Sequence, residues 1–446
     1  MATGQYVHRT GCWDNGHPWH GEPRGWMHAL RDAGYHTASI GKNHYRSTAD
    51  DNGFVEERLP MHVRNGIGDL YGMLRQEAAT YPGTDAGAGD GGAAAAGAGA
   101  GGYGGNIVRG PAIMAETAGA GESNHTEYDR AITQEACDWL SDRGGHRAPW
   151  ALVVSFVAPH FPLIAPPDFF NLYPFDRLSA PRQYAKSERP THPVVQAMAR
   201  VWNFDDYFDA ETLLRAQAGY LGLVSFLDHN IGAVLAALDR AGLSRDTCVV
   251  YTSDHGEMLG NKGLWSTSAL YEESVGVPLM LSGAGVKSAM TVDTPVSHVD
   301  LAPTLLQVAG IAEPLSSHAP GGSLLNLTVQ PERQVLSEYH AGGSITGCFM
   351  LRAGRWKYHY YVDAPPELFD LAEDPGETRD LGQDEAHREV RAACDAALRR
   401  IVDPEEANRR AFADQHATME RHGGAEAVRR RGHPGEHALD RRLGVE

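Results

Sequence analysis

The chain has 446 residues, of which 42% are hydrophobic and 22% are charged, and its formal net charge is −18. This length exceeds the size at which one hydrophobic core usually stops growing, so we expect one large domain and a smaller one. The acidic balance argues against nucleic acid and anionic membranes as partners, and any anion site must therefore be locally positive.

The cysteines and the apolar runs indicate the compartment. The five cysteines are scattered, odd in number and without CxxC spacing, which indicates reduced thiols rather than a disulfide framework. The N-terminus shows neither the basic nor the apolar segment of a signal peptide. The longest apolar run, ALVVSFVAP, suits a buried strand and is too short to cross a membrane. We therefore expect a cytoplasmic protein with no membrane partner.

Strand and helix patterns alternate through the first three hundred residues. Amphipathic spacing that stops at glycine predicts helices at 126–145 and 211–242. Short apolar runs predict buried strands at 36–41, 150–159, 247–254 and 277–283. The alternation predicts an α/β fold with a mainly parallel sheet sandwiched by helices, in which chemistry gathers at the carboxyl ends of strands.

Composition divides the chain into a large domain, a small one and a tail. Within the α/β domain, 1–328, the Gly/Ala-rich stretch 83–105 has little to bury and predicts a flexible surface insertion. Short alternating strands predict a C-terminal subdomain at 329–403, with an antiparallel sheet followed by a helix. The charged residues 404–446 predict a tail, which either reaches a neighbouring subunit of a homo-oligomer or stays a solvated, disordered end.

Polar side chains follow two of the predicted strands. GKNH at 41–44 places Lys42 and His44 two residues apart, so an extended backbone directs both side chains the same way. APHFP ends the next strand with His160 held between prolines. Each stretch alone also fits a plain connection or a satisfied core histidine. Their joint occurrence at strand ends favours a functional site.

The third strand delivers an acid and an imidazole into a glycine-containing turn. SDHG places Asp254 and His255 there, and Lys262 follows a few residues later. A turn capped by Asp254 is the alternative interpretation of this stretch alone. Oxygen ligands with one imidazole suit a hard divalent cation. The lysines and the other histidines would then neutralise a tetrahedral anion and protonate a leaving group.

Nine motifs in fixed order resemble the sulfatase family of the alkaline-phosphatase superfamily, in its choline-sulfatase-like bacterial branch. They run through almost the whole chain: TGQYVHRTGCWDNGHP, LRDAGYHTASIGKNHYRS, DDNGFVEERLPMHV, VSFVAPHFPLIAPP, YLGLVSFLDHNIG, YTSDHGEMLG, GLW…LYEESVGVPLML, HVDLAPTLLQVAG and LRAGRWKYHYYVDAPPELFDLAEDPGETRDL.

The resemblance implies a hydrolase of sulfate esters that uses a formylglycine, made from Cys or Ser in a C/S-x-P-S-R motif. A divalent cation, usually calcium with magnesium or manganese as alternatives, would have Asp254 and His255 among its ligands. Lys42 and His44 match the pair that contacts the sulfate and the formylglycine. His160 matches the histidine at the leaving oxygen. A small-molecule sulfate ester is then the expected substrate.

The chain departs from the family pattern in two places. TGQYVHRTG normally follows the nucleophile motif, but no cysteine here stands before x-P-x-R, and the aspartate pair of the family is absent from the sequence. Cys12 lies in the downstream TGCWDNG segment and does not match. After GLW, Thr267 stands where the family carries a sulfate-binding lysine. Losing that cation is expected to weaken anion binding and reaction by about 2–4 kcal/mol.

Three hypotheses follow from these departures. The first is a sulfatase whose start site has been placed too late, since a missing first strand would leave an open gap in the sheet. The second is a non-catalytic relative that binds an anion or a partner. The third is a phosphate ester or phosphonate hydrolase of the same superfamily. The intact mass of the native protein separates the first hypothesis from the second.

The alcohol half of the substrate is weakly constrained. A choline ester would need an aromatic cage for its quaternary ammonium group. The segment 201–211 contains aromatic residues beside acids, namely Trp202, Phe204, Tyr207 and Phe208. Packing of a helix against the sheet is the alternative explanation for the same residues.

Overall fold

The computed structural model describes residues 1–75, 110–143, 148–202, 204–312, 315–316 and 319–431. The predicted insertion at 83–105 lies outside these residues. Eleven strands occur in the described part of the chain: β1 His36–Lys42, β2 Glu56–Met61, β3 Gly119–Ala120, β4 Trp150–Ser155, β5 Ile164–Ala165, β6 Cys248–Thr252, β7 Leu279–Gly283, β8 Gln334–Tyr339, β9 Cys348–Ala353, β10 Trp356–Tyr361 and β11 Glu367–Asp370.

Twelve α-helices accompany these strands in the same described residues. They are α1 Val7–Thr10, α2 Trp26–Asp32, α3 Gly110–Thr117, α4 Asn124–Arg143, α5 Pro167–Phe170, α6 Pro193–Trp202, α7 Ala210–Arg240, α8 Glu272–Val275, α9 Leu301–Val308, α10 Arg388–Ile401, α11 Pro404–Arg421 and α12 Gly424–Arg431. The two long helices that the amphipathic spacing predicts are present as α4 and α7, within two residues of the predicted starts.

The predicted α/β architecture is confirmed. The strands β2, β1 and β4 form a parallel sheet in that order, with Gly41 opposite Ser155. Helices α4 and α7 cover one face, where Ile40, Ile132 and Leu238 share a hydrophobic core. Helix α2 packs on β1 and on α9 at the other face. Apolar residues of β1 point to one helical layer while Thr37 and Ser39 are buried on the opposite side.

The strand β6 pairs antiparallel with β7, and no ladder joins β4 to β6 among the described residues. Every residue of Trp150–Ser155 and of Cys248–Thr252 remains partly exposed. Fully paired central strands of an α/β sheet are normally buried on both faces. The sheet is therefore interrupted between β4 and β6, directly beside the segment that carries Asp254.

Helix α7 is the longest helix, and its glycines allow close packing. A Cβ atom at Gly219 would lie 2.2 Å from the carbonyl oxygen of Leu163, and one at Gly222 would lie 2.7 Å from the Cβ of Ala165. Among the described residues, α7 is also the one helix long and apolar enough to cross a membrane, and 39% of its apolar window is buried. No single apolar run indicates this, because Asp228, His229 and Asn230 interrupt the apolar residues of α7.

The predicted C-terminal sheet is present, with the strand order β11-β10-β9-β8 and antiparallel pairing throughout. Phe349, Leu351 and Leu368 form its core with Leu398 of α10. Tyr6, from the start of the chain, packs into the same cluster. The C-terminal subdomain and the N-terminal segment therefore share one core.

The predicted tail is helical over most of its described length. Helix α11 packs on the N-terminal loop: Trp13 donates to Asp414 at 2.8 Å, and the side-chain amide of Gln415 donates to Asp14 at 2.7 Å. Asp403 caps the start of this helix. Alanines of the helix face the core, so most of its charged residues lie on the solvent side. Residues 404–431 thus fold back on their own chain, while 432–446 lie outside the described residues.

Candidate functional site

The carboxyl end of β1 positions Lys42 and His44. Gly41 has a φ of +103°, and a Cβ there would lie 2.1 Å from the carbonyl oxygen of Ser155, so only glycine fits between the two strands. The pairing of β1 with β2 shifts by one residue between Ile40 and Lys42. This irregularity turns the chain, and the His44 amide then donates to the Met61 carbonyl at 3.0 Å.

The loop after β4 carries His160, whose Nδ1 lies 2.8 Å from the carbonyl oxygen of Phe161. A carbonyl can only accept, so Nδ1 carries the proton and the ring orientation is defined. The loop itself is held by Asp129 of α4, which is 0% exposed. Its two carboxylate oxygens accept from the amides of Val157 and Ala158, each at 2.8 Å. Burial raises the pKa of Asp129 to about 6.

We expect Asp129→Ala to destabilise the protein and to misplace His160. Each buried amide left without an acceptor costs about 1–3 kcal/mol, and two amides lose theirs. Chemical denaturation should therefore show a free energy of unfolding lower by about 2–5 kcal/mol, within the range of a broken buried network. Asp138→Ala, on the exposed side of the same helix, is the matched control and should change stability little. Equal stability of the two variants would contradict the assignment.

The turn after β6 presents Asp254 and His255. Gly256 is required there, because a Cβ would lie 2.1 Å from the carbonyl oxygen of Glu273. Oδ1 of Asp254 accepts from the His255 amide at 3.1 Å, and Oδ2 lies 3.6 Å from Nε2 of His255. The Asp254 side chain is 60% exposed, so its carboxylate faces the outside of the turn.

The positive charge of Lys42 acts on His44, His160 and Asp254. Loss of water and the positive charge of Lys42 together lower the pKa of His44 to about 4. The pKa of His160 is lowered by the same two causes in the same order. The Asp254 carboxylate reaches solvent, but the surrounding residues still remove part of its water, which acts to raise its pKa. The charges of His255 and Lys42 outweigh this effect and hold the pKa below its ordinary value. The structure therefore brings together all five residues predicted at the three strand ends.

Two histidines that the sequence interpretation missed join the cluster. The ring of His125, in the first turn of α4, lies 6.5 Å from that of His160. It is 9% exposed, its Nδ1 has no hydrogen-bond partner among the described residues, and burial lowers its pKa to about 4. His298 lies 3.3 Å from the Thr252 hydroxyl at the end of β6. Neither follows a predicted strand, so the strand-end signal could not find them.

Lys262 has different surroundings from those that its sequence position suggests. It is 1% exposed, and its ammonium donates to the carbonyl of Gly376 at 2.7 Å and lies 4.8 Å from the centre of the Tyr271 ring. These partners join the loop to the C-terminal subdomain rather than to the cluster around Lys42. Thr267 is half-buried, and its carbonyl accepts the hydroxyl of Ser274 at 2.7 Å.

The aromatic segment before α7 packs into the core. Phe204 and Phe208 are 7% and 8% exposed, and their rings lie 5.7 Å and 4.3 Å from that of Trp265. Tyr207 is 42% exposed, and nothing is described of the Trp202 side chain. The packing explanation therefore accounts for the two phenylalanines, and they do not form a cage around a cation.

The side chains of Asp254 and His255 are of the chemical types that bind divalent cations. A carboxylate and an imidazole are ligands that such ions accept, and both stand on one exposed turn. Among the described residues, no three His, Cys, Asp or Glu side chains are grouped to hold a metal. The turn thus supplies part of a coordination sphere. No cysteine of the sequence fits the formylglycine motif.

The relatives of the chain are sulfatases. The sulfatase family model matches residues 1–311, and a model of the C-terminal region of N-sulphoglucosamine sulphohydrolase matches residues 260–403. The choline-sulfatase of Rhizobium meliloti is 31% identical, over 90% of this chain and 78% of that protein. Arylsulfatase K of Danio rerio is 30% identical, over 90% of this chain and 73% of that protein.

Solved structures support the fold. A phosphonate monoester hydrolase from Silicibacter pomeroyi superimposes with a TM-score of 0.67 at 23% identity, covering 90% of this chain and 83% of that one. BT1596, a 2-O GAG sulfatase, superimposes with a TM-score of 0.59 at 20% identity, covering 99% and 87%. At these identities the likeness concerns the fold, whereas the family match rests on sequence. The chain belongs to the sulfatase family of sulfuric ester hydrolases.

Proposed function

We propose that the chain acts as a metal-dependent hydrolase of a small organic sulfate ester. The observation that carries the proposal is the convergence of Lys42, His44, His160, Asp254 and His255 at the carboxyl ends of β1, β4 and β6. Strand ends are where α/β sheets place their ligands. In a sulfatase-family chain, this cluster is the best candidate for the ester site.

Lys42 and His44 would bind the sulfuryl group. The ammonium of Lys42 would balance the negative charge that grows on the sulfuryl oxygens during reaction. Lys42 is partly exposed, so an ester can approach it. His44, on the same turn, would add a directional hydrogen bond, since its lowered pKa makes the ring neutral at pH 7.

His160 would act at the leaving oxygen. Its Nδ1 proton is directed to the Phe161 carbonyl, so Nε2 is the ring atom that would meet the ester. Nε2 can donate a proton only when the ring is doubly protonated, and the negative charge of a bound sulfuryl group would favour that form. Asp129 and the carbonyl of Phe161 hold the ring in place, which makes the geometry of proton transfer reproducible. The nearby His125 encloses the same side of the cluster.

Asp254 and His255 would hold the cation, with calcium favoured and magnesium or manganese as alternatives. A bound divalent cation would supply Lewis-acid polarisation of the sulfuryl oxygens. We assign no nucleophile to a residue of this chain, because none stands in the formylglycine motif. Thr267 supplies no charge where a lysine would assist, and Lys262 is engaged with Gly376.

The test is hydrolysis of choline sulfate and 4-nitrophenyl sulfate by the protein purified from its native cell, with added calcium and with EDTA, because no residue assigned above supplies the nucleophile. We expect sulfate release that depends on calcium and that exceeds release from a matched phosphonate or phosphate ester. A reversed ranking would favour a phosphate ester or phosphonate hydrolase of the same superfamily. Binding of the ester without turnover would favour a non-catalytic anion-binding relative.

A further inference from the structure

A cavity of about 470 Å³, open to solvent on one side, lies between the N-terminal segment and the start of α11. Its polar lining consists of Gln5, His8, Arg9, Ser316, Asp403 and Arg410. The volume falls within the range of small-ligand pockets. The residues discussed above for ester hydrolysis do not line it, so its polar groups have no role in the proposed function.

His8 is built into the wall of this cavity. It is 8% exposed, and both its backbone amide and its Nδ1 lie 3.0 Å from Oε1 of Glu338. Oε2 of the same carboxylate lies 3.1 Å from Nε2 of His340. Although burial acts to raise it, these contacts with His340 and His8 lower the pKa of Glu338 to about 2. The imidazole of His8 is therefore held by an ionised, buried carboxylate.

The opposite ring nitrogen of His8 is turned away from Glu338. Nδ1 carries the proton because the carboxylate can only accept, which leaves Nε2 on the other edge of the ring. Among the described residues no hydrogen bond or ion pair satisfies Nε2, and it is not sealed from solvent. In this tautomer Nε2 carries a lone pair, so it would accept a hydrogen bond from a protonated ligand oxygen.

Two arginines of the lining lack acidic partners. Arg410 donates to the carbonyl of His8 at 3.1 Å and lies 5.5 Å from the centre of the Trp13 ring. In the described part of the chain, neither Arg9 nor Arg410 pairs with a carboxylate, whereas the adjacent Arg409 pairs with Glu406. Both arginines are exposed, so their guanidinium groups are accessible to a ligand in this cavity.

The carboxylate of the lining is already engaged. Oδ1 of Asp403 accepts from the backbone amide of Glu406 at 3.0 Å and caps α11. The partial positive charge at the helix start offsets much of its negative charge. Glu338 lies behind the His8 ring and is shared by two imidazoles. The groups that face the cavity are therefore mainly hydrogen-bond donors and cations.

We propose that this cavity binds a small oxyanion of the sulfate or phosphate class, held between Arg9 and Arg410. Guanidinium groups present paired N–H donors that match tetrahedral oxyanions, and they keep their charge at every relevant pH. The anion is either free in solution or one group of a larger ligand, such as a sulfated saccharide. The inference concerns a binding site and does not depend on catalysis at the cluster around Lys42.

The experiment is isothermal titration calorimetry of the full chain with sodium sulfate and sodium phosphate, at constant ionic strength set with sodium chloride. It is carried out in the Lys42→Ala background, so that anion binding at the ester site is suppressed. Arg9→Gln removes one cation without disturbing a described contact. We expect it to weaken binding about tenfold or more, since a charge-assisted hydrogen bond contributes about 1.5–3 kcal/mol.

Arg409→Gln is the matched control, because it removes the same charge one residue outside the cavity lining. It should leave sulfate affinity within about twofold of the parent, as expected for a screened surface charge. Arg410→Gln gives a second, independent loss, with far-ultraviolet circular dichroism to show that the helices remain. Equal affinities in the parent and in all three variants would overturn the proposal.

Two further outcomes are decisive. Absence of any heat with both sulfate and phosphate would also overturn the proposal. If a sulfated disaccharide binds more tightly than free sulfate and Arg9→Gln removes that gain, the anion belongs to a larger ligand. Equal affinity of the disaccharide and free sulfate, lost together in Arg9→Gln, assigns the site to the free anion.

Discussion

Replacing Asp254 with alanine is expected to abolish calcium-dependent hydrolysis of sulfate esters. Asp254 supplies the carboxylate of the candidate cation site, and its carboxylate is ionised because its pKa is held low by neighbouring positive charge. A cation without its carboxylate ligand is bound weakly and polarises the ester poorly. We expect kcat/KM to fall by at least about 10³-fold, comparable to the loss of a main electrostatic group.

Calcium binding provides a second readout for the same variant. Titration calorimetry of Asp254→Ala should show calcium affinity lowered by about tenfold or more, as for the loss of a ligand or its support. Asp138→Ala, which removes an exposed carboxylate from α4, is the control and should leave both affinity and turnover unchanged. Full calcium affinity and full turnover in Asp254→Ala would refute the ligand assignment.

Replacing His160 with alanine is expected to slow hydrolysis according to the leaving group. An alkyl sulfate, whose alkoxide leaves poorly, needs a proton in the transition state, and general acid catalysis contributes about 10²–10⁴-fold. An activated aryl sulfate leaves without that proton and should lose much less. The measurement is kcat/KM of parent and variant on a series of esters with different leaving-group pKa values.

The leaving-group slope separates a chemical role from a structural one. His229→Ala is a suitable control, because this exposed histidine of α7 only packs beside Phe169. His229→Ala should lower kcat/KM slightly and by the same factor for all esters, so the dependence of kcat/KM on leaving-group pKa should not change. An equal loss on alkyl and aryl esters in His160→Ala would argue that the ring only shapes the site.

Most strands were predictable from local patterns. β1, β4, β6 and β7 were predicted within a few residues. Short apolar runs bounded by Gly, Pro or polar residues carry this signal. β2 was missed, because Glu56, Glu57 and Arg58 give it a charged sequence. The charged ends of these side chains form ion pairs with groups on α4 and β1, such as Glu135 and His36, while their methylene groups pack against the protein. A strand can therefore form at these positions without apolar residues.

The tail shows a second limit of local patterns. Charge-rich residues after 403 predicted a tail, whereas 404–431 form helices. The helical outcome depends on Asp403, which caps the first turn, and on partners more than 400 residues away, such as Trp13 and Asp14. Contacts with residues so far away in the sequence produce no local pattern in residues 404–431, so a helix could not be predicted there from that segment alone.

The sequence by itself determined the family and the α/β order, and it predicted the five strand-end residues that form the candidate site. This was possible because parallel strands bring their carboxyl ends to one edge, so that strand-end positions imply proximity. Lys42, His44, His160, Asp254 and His255 all meet this condition. Their chemical types then indicate an anion site with a cation.

Only the tertiary structure decided which other groups enter the site and which do not. Asp129 and His125 reach it from α4, and His298 reaches it from the loop before α9. Lys262 turns instead toward Gly376, and His8 meets Glu338 from 330 residues away. The physical reason is that a buried polar group without a hydrogen-bond partner costs free energy. Any partner that packs against it therefore stabilises the fold, whatever the separation of the two groups along the chain.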